Sequence, residues 1–193
     1  EIEREKIVSR VRLTSLDPAD TEPDFVEFVS ECETICPQFH IALQSGDDIV
    51  LKRMRRRYGR DKFLELTHKI KETMPDAAIG SDIMVGFPGE TDQQFQNTYD
   101  VADNSGLTYF HVFPYSKRKL TQAVSMDGHV DPRVIKKRSL KLRELGEQKK
   151  NEFCRGFIGR TLPVLVEKDS KGTTPNYISV RITRGSFRIG EEV

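Results

Sequence analysis

Four short segments of strand character alternate with helical patterns, and this alternation constrains the chain more than any other feature. Residues 10–16 set Val11 and Leu13 between arginines, and residues 39–44 set Phe39, Ile41 and Leu43 between His40, Ala42 and Gln44. Residues 79–86 put Ile83 and Val85 on one face and Asp82 and Met84 on the other. A fourth segment, 108–116, carries Phe110 and Val112 and meets a proline at 114. Phe63, Leu66, Ile70 and Met74 fall at helical spacing and stop before Pro75. A further helix starts at Thr91, where Gln94 completes a capping box, and ends at Gly106. Strand and helix recurring about every 30–40 residues predict successive βαβ units on a parallel sheet.

After residue 117 the pattern changes. A long basic helix is predicted over 132–153. Short strands then follow at 162–168 and 177–183, joined by the turn-rich DSKGTTPN. The expected division is an α/β domain over 1–155 and a small all-β module over 156–193, whose completeness the Gly-Glu-Glu-Val ending leaves open.

Charge is balanced, 31 basic against 30 acidic residues for a net +1, so no global field demands a polyanionic partner. The balance hides blocks: residues 52–62 hold seven basic side chains and one acidic, while the first 34 residues are acid-rich. No apolar run approaches the roughly 20 residues of a membrane span. Three cysteines, an odd number at low density, point to a reducing, cytoplasmic setting.

In parallel α/β folds ligands gather at the carboxyl ends of the strands. Those ends supply Ser15 and Asp17, then Gln44-Ser45-Gly46, then Gly86-Phe87-Pro88-Gly89-Glu90, then Pro114-Tyr115-Ser116. Amides, hydroxyls, glycines and aromatics suit a flat, hydroxylated ligand such as a nucleoside, with Phe87 or Phe113 stacking on it. Ordinary turn chemistry explains the same residues taken singly. For Glu90, a carboxylate beside a helix N-terminus, capping and ligand contact both stand.

The stretches HIALQSGDD, LKRMRRRY, SDIMVGFPGET and HVFPYSKR, in this order, resemble the tRNA methylthiotransferases of the radical S-adenosylmethionine superfamily. NYISV resembles the TRAM domain that follows their barrel. The resemblance implies the last four βα units of a partial (β/α) barrel followed by a TRAM-like module. It also implies an S-adenosylmethionine pocket formed by Gln44, Ser45, Asp82, Gly86, Phe87, Glu90, Phe113 and Tyr115. RVRLTSLDP and HVFPYSKR are similar to the branch that methylthiolates N6-threonylcarbamoyladenosine beside the anticodon. In such an enzyme a 5′-deoxyadenosyl radical takes hydrogen from adenine C2, sulfur comes from a second cluster, and the methyl group comes from another cofactor molecule. Arg57, Lys117, Arg118, Arg181 and Arg184 are then the expected RNA contacts. The basic run from Lys52 to Arg60 also reads as a solvated helix face, or as contacts to RNA phosphates, with Arg53 or Arg57 alternatively meeting a cofactor carboxylate.

The family's C-x3-C-x2-C cluster motif is not matched. Cys32 and Cys36 have its first spacing, but position 39 is Phe. Neither a catalytic nor a metal-binding residue is therefore assigned. A zinc site from Cys32, Cys36 and His40 is disfavoured against two buried thiols, and Cys154 stands alone. Ala42, Leu120 and Gln122 depart from the family's pattern. The chain accordingly reads as the C-terminal part of a longer enzyme whose [4Fe–4S] ligands lie elsewhere. Its first strand would have an open edge, inviting a dimer. Methylthiolation of isopentenyladenosine or of a ribosomal-protein aspartate, and a non-catalytic RNA-binding module, are the alternatives.

Overall fold

The computed structural model describes residues 2–5, 7–119, 121–168 and 170–193, so Leu120 lies outside the described residues. A short helix α1 (Ile2–Glu5) precedes four parallel strands: β1 (Val11–Leu16), β2 (Ile35–Gln44), β3 (Ala78–Val85) and β4 (Tyr109–Pro114). They lie in sequence order, β1 and β4 at the edges. The crossovers are α2 (Pro23–Glu31), then α3 (Asp48–Arg53) with α4 (Arg60–Thr73), then α5 (Asp92–Asn104). After β4 comes a 3-10 turn at Gln122–Ser125 and the long helix α6 (Pro132–Arg155), started by Asp131, whose carboxylate accepts from the Arg133 N–H at 2.7 Å.

The period-2 pattern decides which face is covered. Phe39, Ile41 and Leu43 of β2 and Ile79, Ile83 and Val85 of β3 are fully buried. They form one core with Phe63 and Ile70 of α4, Ala102 of α5 and Leu142 of α6. The opposite face carries Gln38, His40 and Gln44 of β2, Asp82 and Met84 of β3, and Tyr109, His111 and Phe113 of β4. This is a partial (β/α) barrel, its polar face turned inward.

Several boundaries differ from the sequence expectation. β2 begins at Ile35, before the expected Phe39, and takes in Pro37. The proline is tolerated because β3 starts to pair only at Gln38 and the β1 register slips at this level. The basic run is not one helix face: α3 ends at Arg53, and Arg55 turns the backbone left-handed at φ 60°. Helix α2 went unrecognised because its apolar Phe25, Val26 and Val29 are embedded in an acidic stretch.

The terminal residues form a separate antiparallel sheet of β5 (Leu165–Lys168), β6 (Lys171–Thr173) and β7 (Ser179–Arg181). β6 occupies what looked like a turn. Gly172 permits it, since a Cβ there would lie 2.4 Å from the Leu165 carbonyl oxygen. Arg10 and Arg12 fasten this sheet to the barrel. Arg10 donates to the Thr173 carbonyl at 2.9 Å and pairs with Glu192, while Arg12 donates to the carbonyls of Pro175 and Thr174 at 2.9 and 2.8 Å.

Gly46 is the tightest point between the β2–α3 turn and α5. An added Cβ would sit 2.7 Å from Thr98 Cα and 2.8 Å from the Asn97 carbonyl oxygen. Gly46→Ala must push backbone from backbone, and overpacking of this kind costs about 1–3 kcal/mol. Thermal unfolding should show a lower Tm, by roughly 2–4 °C per kcal/mol; an unchanged Tm would mean that α5 is free to move.

Candidate functional site

The carboxyl ends of β2, β3 and β4 open into a cavity of about 460 Å³. Its walls include Gln44, Met84, Phe87, Phe113 and Tyr115 from the strand ends, with Met54, Arg55 and Arg56 from the turn after α3. Arg118 and Met126 come from the segment following β4.

Two turns build this mouth. In the first, Gln44 ends β2 in the left-handed region at φ 60°, and the Ser45 N–H closes on the Leu43 carbonyl at 2.7 Å. A non-glycine residue held there stores backbone strain, of the kind that clusters at functional sites. The next residues weld the turn to α5. The Gly46 N–H donates to the Thr98 hydroxyl at 3.0 Å, and Asp47 caps α3 while accepting from the Asn97 side chain at 2.8 Å.

The second turn, Gly86 to Glu90, needs left-handed glycines at Gly86 and Gly89, both at φ 77°. At Gly86 a Cβ would also run into Ile135 of α6 at 2.4 Å. The Gly86 N–H donates to Glu90 Oε2 at 3.1 Å, and the Thr91–Gln94 capping box starts α5 directly after. Arg53 braces the turn from outside, donating to the Pro88 carbonyl at 2.7 Å and to Gln94 at 3.2 Å. Phe87 meets Tyr115 edge-on at 5.7 Å between ring centres.

Beneath this turn lies a buried ion-pair cluster. Arg138 of α6 donates to Glu90 Oε1, to the Glu90 carbonyl at 3.2 Å and to Asp92 Oδ1 at 2.7 Å. Burial pushes the Glu90 carboxyl above its ordinary range, against the downward pull of Arg138 and of the Gly86 N–H.

The expected site residues therefore separate. Gln44, Phe87, Phe113, Tyr115 and Arg118 converge on the cavity. Ser45 is fully buried behind it, its hydroxyl 3.2 Å from that of Thr98. Glu90 and Gly86 are turned toward α6. Asp82 lies one step lower on the polar face, its Oδ1 3.2 Å from His40 Nε2. Arg57 is exposed and engaged with Asp20, whereas Arg53 lines the cavity while also bonded to the turn. Lys117 is exposed beside the cavity, while Arg181 and Arg184 are exposed on the small sheet. Arg55 and Arg56 belong to the basic run that the sequence offers as phosphate contacts, without singling them out, and Met54 lies within the same stretch. Of the two remaining methionines, Met84 is marked by its place on the non-core face of its strand and Met126 by no sequence signal.

The model of the radical SAM superfamily matches residues 1–102. A threonylcarbamoyladenosine tRNA methylthiotransferase, MtaB, of Rickettsia prowazekii is 38% identical over 92% of this chain and 42% of its own length. A tRNA-2-methylthio-N(6)-dimethylallyladenosine synthase of a Parafrankia species is 42% identical over 82% of this chain and 32% of its own length. The chain thus spans well under half of the curated relatives it matches. Coproporphyrinogen III oxidase (HemN) from Escherichia coli, a radical SAM enzyme, superposes with a TM-score of 0.60 at 15% identity, covering 72% of this chain and 32% of that one; this shows shared fold alone.

The family implies S-adenosylmethionine and iron–sulfur clusters. The cavity fits the former: it has aromatic and thioether walls, guanidinium groups for a carboxylate, and a buried Tyr115 hydroxyl without a hydrogen-bond partner. It does not fit the latter. Cys32, Cys36 and Cys154 are free and lie apart, at the end of α2, in β2 and near the end of α6. Among the described residues no three His, Cys, Asp or Glu side chains converge to hold a metal.

Arg138→Leu leaves the Glu90 carboxylate buried without its partner, a change that typically costs about 3–5 kcal/mol. Removing the arginine raises the folded-state pKa of Glu90 further above its unfolded value. The variant's deficit should therefore be smallest below the ordinary carboxylate range and grow as pH rises through the folded pKa. Urea melts across pH, with Glu90→Gln added as a rescue, check this; a deficit independent of pH would contradict it. The alternation, the strand-end turns, the match over residues 1–102 and the curated relatives agree: the chain belongs to the radical SAM superfamily, in its tRNA methylthiotransferase family.

Proposed function

We propose that this chain forms the cofactor- and nucleoside-holding part of an enzyme that adds a methylthio group to C2 of N6-threonylcarbamoyladenosine in tRNA. The observation that carries this reading is the charge of the cavity. Arg53, Arg55, Arg56 and Arg118 line it, and none has a carboxylate partner among the described residues. S-adenosylmethionine brings one carboxylate and a threonylcarbamoyl group brings a second, so two anions account for a surplus that an uncharged adenine substituent leaves unbalanced. The Rickettsia relative, named for that nucleoside, supports the same choice.

When bound, the cofactor supplies the radical that activates C2. The residues of this chain supply the seat: Phe87 and Phe113 offer ring faces to an adenine, Gln44 and the Tyr115 hydroxyl offer hydrogen bonds, and the arginines offer counter-charge. The domain over 1–155 would hold cofactor and target base. The TRAM-like module over 156–193 would bring Arg181 and Arg184 to phosphates, positioning tRNA without reading its sequence. The enzyme would work in the cytoplasm, where tRNA is modified, and the β1 edge is the surface through which a second copy would pair. A second reading, methylthiolation of dimethylallyladenosine, draws on the Parafrankia relative.

A chimera in which this chain replaces the matched segment of the Rickettsia relative separates the two readings, with methylthio product measured by mass spectrometry on tRNAs bearing either modification. The threonylcarbamoylated tRNA should be the better substrate. Arg118→Ala should lower its kcat/KM by about 10-fold or more, the worth of a hydrogen bond to a charged group, and leave the other tRNA unaffected. Preference for the dimethylallyl substrate would overturn the assignment.

A further inference from the structure

A second groove, of about 660 Å³, runs beside β4 between the barrel and the small sheet. Tyr177, Tyr109 and His111 line it and belong to a ladder of rings that ends at Phe113. Tyr177 lies 5.3 Å from Tyr109, Tyr109 6.0 Å from His111, and His111 6.5 Å from Phe113, centre to centre. Phe113 is itself a wall of the cofactor-end cavity, so the ladder is continuous from the small sheet to that cavity. The rungs 109, 111 and 113 share one face of β4 and therefore repeat every two residues, about 6.6–6.8 Å.

The ladder is built and supported. Gly80, opposite Tyr109 in the β3–β4 register, leaves room for its ring: a Cβ there would lie 2.1 Å from the tyrosine. Gln38 donates to the Tyr109 hydroxyl at 2.8 Å. Asp82 holds His40, whose ring stacks on His111 at 5.8 Å. The upper rungs nonetheless remain open: His111 is exposed and its ring makes no hydrogen bond among the described residues, and Phe113 and Tyr177 are 49% and 47% exposed. Packed barrel interiors are ordinarily filled with branched aliphatic side chains; open rings in their place call for a ligand.

Charge along the groove identifies it. Arg143 and Lys150 of α6 line the same space; Arg143 makes a single 3.3 Å bond to the Val112 carbonyl, and Lys150 has no ion pair among the described residues. Glu147 is the one acidic residue in the lining. Aromatic rungs at strand pitch with flanking cations are how sheet surfaces hold single-stranded nucleic acid, each ring taking a base and each cation a phosphate.

We propose that the Tyr177–Tyr109–His111–Phe113 ladder is a stacking track for unpaired RNA, on which nucleotides adjoining the target base lie while that base enters the cavity. The proposal deepens the tRNA reading and rests on it: anticodon-loop nucleotides are single-stranded and stack in this way, whereas the paired stem cannot.

Fluorescence anisotropy with this chain, an anticodon stem–loop RNA and a fully paired duplex of equal phosphate number tests the ladder. His111→Ala should weaken stem–loop binding by roughly 5- to 150-fold, the worth of one base stack. Duplex binding and the slope of log affinity against log salt should stay unchanged, since Arg143 and Lys150, the cations of the groove, are untouched. His111→Phe should retain stem–loop affinity, which guards against a folding artefact. Wild-type affinity in the alanine variant, or equal loss for stem–loop and duplex, overturns the ladder while leaving the tRNA reading in place. Failure of the unsubstituted chain to bind either RNA overturns both.

Discussion

The contact on which the site depends is the buried pairing of Arg138 with Glu90. Two charges withdrawn from water are costly unless their remaining hydrogen-bonding capacity is met. Here Glu90 Oε2 takes the Gly86 N–H while Oε1 takes the guanidinium, and Arg138 reaches the Glu90 carbonyl and Asp92 as well, though its buried Nε has no partner among the described residues. One side chain of α6 thus fixes both ends of the Gly86–Glu90 turn and the first turn of α5. The arrangement has a direction: the carboxylate faces α6, away from the cavity, and Phe87 is the residue of the turn that lines it.

From this pin the rest of the mouth follows. Arg53 clamps the same turn from the α3 side. Arg57 is engaged elsewhere, and Arg53 lines the cavity while held on the turn. The cavity arginines whose side chains make no hydrogen bond among the described residues are those carried by the left-handed turn at Arg55 and by the segment after β4. The polar face beneath continues as rings and imidazoles down to the small sheet, which Arg10 and Arg12 hold at the opposite ends of the strands. The cavity and the terminal sheet are therefore two ends of one surface.

Much of this was legible because parallel strands impose a period of two and place their ligands at one end. The alternation in 39–44 and 79–86 separated core from polar face, and the strand-end turns singled out Gln44, Phe87, Phe113 and Tyr115. Contacts between residues far apart in the chain were not legible. Nothing local marks Glu90 as the partner of a residue 48 positions away, or shows that Ser45 turns inward to Thr98. Nor does a basic run disclose where its backbone reverses, so Arg55 and Arg56 were hidden among their neighbours. The strand at Lys171–Thr173 escaped because its Gly and Thr residues are also those of a turn.

The central claim is that the cofactor is seated at the carboxyl ends of β2, β3 and β4. The chain's four methionines report on it directly: Met54, Met84 and Met126 line the cavity, whereas Met74 packs against the core beyond α4. The test is a methyl NMR titration with S-adenosylhomocysteine, in which the resonances are assigned by single Met→Leu substitutions. The account predicts saturable shifts at Met54, Met84 and Met126 with Met74 unmoved. No shift at any of the three, or a shift confined to Met74, would contradict it.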